Sequence, residues 1–211
     1  MKAETKKLIY VFDPLCGWCY GFSPVVVGLW EATRDEVDWD VIPGGMVVGE
    51  NVGPIGRIAG FITASLPRLE STTGVTLGKG FKEGVLEEGS MVLSSLEPAR
   101  ALVAAKLIDS ALAVPFAAAL QEELYHEGHH IGDEKVLSTL ADKFFIKEFS
   151  TIYHDPLTLE RTENEFKLAA SWGVKGYPTL LGVKDGVGTV FNRGWASLDR
   201  VLPAVEHWMK N

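Results

Sequence analysis

The sequence predicts an α/β fold in which one central sheet is assembled from the two ends of the chain, with a large block of helices inserted between them. Three observations predict it. Residues 7–42 read as strand, helix, strand; residues 178–208 read as strand, strand, helix; and the stretch between changes period and composition. A chain of 211 residues with a hydrophobic fraction of 46%, ten Phe and six Trp can bury a core of that size.

The first strand is Lys7–Phe12, a short β-branched and aromatic run stopped by Asp13-Pro14. The first helix, Gly17–Thr33, carries Phe22, Val25, Val26, Leu29 and Trp30 at three- and four-residue spacings. Val37–Ile42 alternates apolar and polar residues before Pro43-Gly44-Gly45, which marks a second strand. Strand, helix and strand make a right-handed crossover with the strands parallel. A glycine-rich stretch follows, with helical periodicity over Ile55–Leu69.

From Pro98 to Phe149 the pattern is helical throughout. Pro98 suits a first turn, Pro115 lies near the start of a second helix, and Asp133 is an N-cap for a third bearing Val136, Leu137, Leu140 and Phe144. A fourth runs from Leu157 to Trp172 and stops at Gly173. Then Pro178–Val183 reads as a strand, Lys184-Asp185-Gly186 as a turn and Gly188–Asn192 as its antiparallel partner. Ser197 caps a final helix. The division this predicts is residues 1–45 with 174–211 as one discontinuous domain, and 46–173 as the helical insertion.

The only two cysteines, Cys16 and Cys19, stand three apart where the first strand hands over to the first helix. The first N–H groups of a helix have no partner within it, and the helix dipole leaves partial positive charge there. Both effects favour a thiolate at Cys16. Cys19, one turn on, is close enough to close a small disulfide ring, so Cys16 is placed to attack and Cys19 to resolve the mixed disulfide. A structural zinc site would need a second pair of ligands, and none is present. Inert core thiols would have to fall at this spacing and junction by coincidence.

Two neighbours have open roles. Asp13 either relays a proton to and from the dithiol or starts a turn before Pro14. Trp18 either presents an apolar platform to client peptides or packs on the helical block. His126-Glu127-Gly128-His129-His130 matches the His-Glu-x-x-His pattern of zinc proteases, but Gly128 within it and Gly132-Asp133 after it point to a helix ending rather than a metal-binding face. No metal is therefore expected.

Charge and targeting narrow the class further. Twenty basic against 28 acidic residues give a formal charge of −8, which argues against nucleic acid or an anionic membrane as partner. The run at 8–12 is too short for a signal-peptide core, and Ala101–Leu120 is interrupted by Lys106, Asp109, Ser110 and Pro115. With two cysteines and no export signal in view, a reducing cytoplasm is the expected compartment. Oligomeric state is not readable.

The chain resembles the DsbA-like thioredoxin-fold thiol-disulfide oxidoreductases, of the cytoplasmic bacterial kind described as predicted protein-disulfide isomerases. Two motifs carry the resemblance: Phe12-Asp13-Pro14-Leu15-Cys16-Gly17-Trp18-Cys19, and Gly173-Val174-Lys175-Gly176-Tyr177-Pro178-Thr179. It implies a thioredoxin-like fold, Cys16 as nucleophile, Cys19 as resolving thiol, and a cis Pro178 that sets Tyr177 against the dithiol to bind substrate. The expected substrates are proteins or peptides carrying thiols or disulfides, with no cofactor beyond the redox-active disulfide. DsbA has Pro-His between its cysteines. Here Gly17-Trp18 stands there, which implies a reductive or isomerising poise. The alternatives are a glutathione-dependent transferase or isomerase of the kappa-class kind, with glutathione as co-substrate, and a redox-inert binding module.

Overall fold

In the computed structural model, which describes residues 6–211, a four-stranded mixed sheet runs in the order β2-β1-β5-β6. Its strands are β1 (Lys6–Phe12), β2 (Asp38–Pro43), β5 (Thr179–Lys184) and β6 (Val187–Arg193). β1 pairs with β2 in parallel, Tyr10 opposite Val41, and with β5 antiparallel, Tyr10 opposite Leu180. The two chain ends thus build one thioredoxin-like sheet, as the sequence predicts.

β1 is buried on both faces because it lies inside the sheet and its side chains alternate. Leu8, Tyr10 and Phe12 enter the main core, while Ile9 and Val11 pack with Ile42 and Ala169 on the opposite side. On the main-core face, α1 (Gly17–Thr33) contributes Phe22, Val26 and Leu29, and α9 (Leu198–Lys210) contributes Val201 and Val205. Burying each of these side chains contributes about 1.5–3 kcal/mol. Gly182 has a packing reason: a Cβ there would come within 2.8 Å of both the Phe191 and Trp208 rings.

The intervening chain forms α2 (Ala59–Thr73), α3 (Leu86–Glu88), α4 (Leu96–Ile108), α5 (Ala113–Tyr125), α6 (Glu134–Lys143), α7 (Phe149–His154) and α8 (Pro156–Ser171). Asp133 caps α6 by accepting from the Lys135 N–H, and Asp155 caps α8 through Leu157. Leu102, Phe116 and Leu120 of this block share the main core with the strands. No helix among the described residues is long and apolar enough to cross a membrane.

Three features differ from the sequence reading. The helix expected over Ile55–Leu69 starts later, at Ala59, and runs to Thr73. The third helix stops at Lys143, and Phe149–His154 forms the separate α7. The break passes through Phe145 and Glu148, both at positive φ, which neither residue type advertises. A two-stranded ribbon, β3 (Gly53–Pro54) with β4 (Val92–Leu93), and a π-helical turn at Gly80–Val85 are also present. Segments this short leave no periodic signal.

Candidate active site

α1 begins where β1 ends, and the turn between them is closed by the Cys16 N–H donating to the Asp13 carbonyl at 3.0 Å. Cys16 is the N-cap, with extended backbone (φ −90°, ψ 110°), and its carbonyl accepts from the N–H groups of Cys19 at 2.9 Å and Tyr20 at 3.1 Å. Its sulfur therefore sits beside the unpartnered first N–H groups of a 17-residue helix. Cys19 lies one turn inside and is wholly buried, whereas Cys16 is 8% exposed. Of the two, Cys16 is the one with surface exposed.

The Cys19 thiol is held to low acidity for a physical reason. Burial pushes the Cys19 thiol well above its ordinary value, and a hydrogen bond with Cys16 and the charge Cys16 would carry push it the same way. All three effects favour the protonated form of Cys19.

Across the second motif, the Tyr177–Pro178 peptide is cis and Pro178 is buried. The Cys16 thiol points at the Tyr177 carbonyl, 3.6 Å away. The Tyr177 hydroxyl donates to the Gly44 carbonyl at 2.9 Å, fixing this loop to the end of β2. The two motifs, 161 residues apart, meet at one sulfur.

Asp13 is fully buried, and its carboxylate ties three segments together. One oxygen accepts from the Leu15 N–H at 3.0 Å and the Ser95 hydroxyl at 2.9 Å; the other accepts from the Met46 N–H at 2.7 Å. Burial raises its pKa against the opposing pull of those donors. Ser95 in turn receives the Val47 N–H at 3.0 Å, which extends the network into the helical block. Asp13→Ala strands these donors in the interior, at about 1–3 kcal/mol for each buried group left unpaired. Chemical denaturation should show a loss of at least about 2 kcal/mol; a loss below about 0.5 kcal/mol would mean that water replaces the carboxylate without penalty.

Gln121 was not legible as a site residue. Its side-chain N–H donates to the carbonyls of Asp13 and Cys16, each at 3.4 Å, so α5 steadies the dithiol loop from below. The available signal was a polar residue among Ala117, Leu120 and Leu124 on the buried face of that helix.

Trp18 packs on the helical block, partly buried against the two larger clusters, and is also part of the wall of a cavity of about 250 Å³ that opens beside Cys16. Leu15, Ile62, Leu66, Leu69, Phe81 and Tyr125 form much of its wall, and no charged side chain lines it. Phe61, 75% exposed, stands at its rim.

The His-Glu-x-x-His match is taken apart by the fold. α5 ends at Tyr125, so the motif falls in the following loop. His129 contacts Glu123 at 2.6 Å, while the His130 ring meets the Val92 carbonyl at 2.9 Å.

A sheet of this order with a Cys-x-x-Cys at the start of its first helix defines the class: DsbA-like enzymes of thiol-disulfide exchange, oxidoreductases or isomerases. The chain belongs to the thioredoxin family, whose model, described as Thioredoxin, matches residues 10–187. It is similar in structure to a proposed protein disulfide isomerase from Nitrosomonas europaea, with a TM-score of 0.84, 22% identity and 98% of each chain covered. It is similar as well to the cytosolic disulfide reductase DsbM from Pseudomonas aeruginosa, with a TM-score of 0.83, 29% identity, 97% of this chain and 98% of that one covered. A structure of DsbM with GSH matches at a TM-score of 0.81 and 28% identity, over 97% of this chain and 100% of that one. No match was found among curated proteins.

Proposed function

We propose that this protein reduces or exchanges disulfides in the cytoplasm through a Cys16–Cys19 dithiol. The observation that carries the reading is the asymmetry of the pair: Cys16 at the helix start facing the Tyr177 carbonyl, Cys19 fully enclosed. The Cys16 thiolate attacks one sulfur of a substrate disulfide, and the other sulfur leaves as a thiolate that takes up a proton. The mixed disulfide so formed is opened by Cys19, which gives up its proton and attacks the Cys16 sulfur, releasing the second substrate thiol. Two electrons pass from the dithiol to the substrate, and a thiol or dithiol reductant must restore the pair.

Tyr177 and Pro178 line the substrate side of Cys16, and Trp18 offers an apolar wall to whatever group the substrate sulfur carries. Asp13 holds the loop and is the carboxylate available to pass a proton near the dithiol. The cytosolic assignment and the thiol or disulfide substrates are supported by the likeness to DsbM. No cofactor is required by this chemistry, because the dithiol itself carries the electrons; glutathione fits as a co-substrate.

Equilibration in glutathione buffers of graded ratio tests the reading. The protein should titrate as a single two-electron couple, with a tenfold change in the equilibrium constant for every 29.6 mV or so. A non-covalent glutathione complex indifferent to loss of Cys19, with no such couple, would instead favour a transferase or isomerase.

A further inference from the structure

The cavity that Cys16 lines and the recess that Tyr177 lines are chemically unlike. The cavity is uncharged, whereas the recess, open and of about 580 Å³, is lined by Gly173, Lys175, Gly176, Tyr177, Arg193 and Gly194. Two cations and no carboxylate line it, on a chain whose acidic residues outnumber its basic ones by 28 to 20. Both side chains belong to exposed residues, and neither is held in an ion pair with a described residue.

Their placement relative to the dithiol follows from the backbone. Arg193 is the register partner of Thr179, the residue after Pro178, and the Gly194 N–H donates to the Pro178 carbonyl at 2.7 Å. Lys175 stands two residues before Tyr177, whose carbonyl lies 3.6 Å from the Cys16 sulfur. Three glycines keep the floor of the recess free of side chains, so a ligand can reach the backbone between the two cations. Two like charges on one recess repel each other, and an anion between them removes that repulsion while gaining charge-assisted hydrogen bonds, bidentate ones at the guanidinium.

We propose that Lys175 and Arg193 form a carboxylate subsite, so that the disulfide presented to Cys16 belongs to a small anionic molecule of the glutathione disulfide kind. The proposal rests on the thiol-disulfide reading above and adds to it the charge of the substrate and where that charge is held. In the single turnover, the Cys16 thiolate attacks one sulfur of glutathione disulfide while the subsite holds a carboxylate of that half. The S–S bond breaks, the far glutathione leaves as a thiolate and is protonated by water, and Cys16 carries a glutathionyl group. Cys19 then loses its proton to solvent and displaces the second glutathione thiolate, which is protonated in turn. One glutathione disulfide and one protein dithiol have become two glutathiones and one protein disulfide.

Stopped-flow tryptophan fluorescence of the fully reduced protein, mixed with glutathione disulfide or with the neutral 2-hydroxyethyl disulfide, tests this. The ratio of the two second-order rate constants is the readout, because a general disturbance of the dithiol cancels in it. In Lys175→Gln/Arg193→Gln the ratio should fall about tenfold, the low end of what local fields do to association rates. In Lys175→Glu/Arg193→Glu it should fall further and the cationic disulfide cystamine should overtake glutathione disulfide. A ratio within twofold of wild type in both double variants overturns the proposal. So does an unchanged ratio accompanied by slower reaction of a peptide disulfide with acidic neighbours, which would assign the cations to a polypeptide client. A wild-type protein that reacts with neither small disulfide sinks the thiol-disulfide reading itself, an outcome distinct from loss of the ratio alone.

Discussion

Cys16→Ser should reduce disulfide turnover to the uncatalysed background, and Cys19→Ser should leave one attack intact while trapping the product. The reason lies in accessibility joined to acidity. Cys16 caps α1 beside free N–H groups and faces the open side of the site, whereas Cys19 is sealed in the core with its thiol pushed up by burial. A serine hydroxyl at position 16 stays protonated at neutral pH and cannot replace the thiolate. In Cys19→Ser nothing resolves the mixed disulfide, so the protein should accumulate an adduct whose mass equals one substrate thiol, visible by mass spectrometry without reductant. Alkylation of the reduced wild type at neutral pH should modify Cys16 first. Faster labelling of Cys19 would reverse the two roles.

Lys106→Met should be the most destabilising single change away from the dithiol. The Lys106 ammonium, with its side chain only 8% exposed, contacts Glu165 at 2.9 Å and Asp40 at 2.8 Å, and donates to the Val41 carbonyl at 2.7 Å. It joins α4 to β2 and α8 at once. Removing one partner of a buried pair costs about 3–5 kcal/mol, because the remaining charge is left without compensation. For a chain of this length that corresponds to a fall in Tm of roughly 10 °C.

The loss should depend on pH in a direction that can be worked out. Burial raises the Glu165 pKa above its ordinary value, and Lys106 opposes that rise. An acid whose folded pKa is raised binds its proton more tightly when native. Stability therefore falls as pH climbs from the ordinary carboxylate value through the raised one. Without Lys106 that window widens, so the variant should be closer to wild type at pH 5 than at pH 8. Asp40 and Arg161 face the same carboxylate and bear on its titration, in opposite senses. Lys106→Met/Glu165→Leu should recover much of the loss. Equal losses at both pH values, with no recovery in the double variant, would show that Lys106 acts through its packing alone.

Much of the fold was legible because its signals are local. The apolar run of β1, the spacing of Phe22, Val26 and Leu29, and the cap at Asp133 each declare an element within a dozen residues. The same is true of the dithiol, since strand, turn, cysteine pair and helix are contiguous. What was lost turned on backbone choices without a compositional mark: the positive φ of Phe145 and Glu148 that separates α6 from α7, and the two-residue pairing of Gly53–Pro54 with Val92–Leu93.

By itself, then, the sequence determined the β-α-β and β-β-α ends, the Cys-x-x-Cys pair Cys16 and Cys19, and which of the two leads the helix. Those follow from neighbours along the chain. Only the tertiary structure decided what surrounds the pair. Tyr177, set against the dithiol beforehand only by family resemblance, reaches Cys16 from 161 residues away; Ser95 meets the Asp13 carboxylate across 82, and Gln121 donates to the Cys16 carbonyl across 105. The cavity wall likewise brings Leu15 and Trp18 against Phe81 and Tyr125. Hydrogen bonds and apolar contacts between distant segments form only once the chain has closed on its core, and no local pattern of residues encodes their partners.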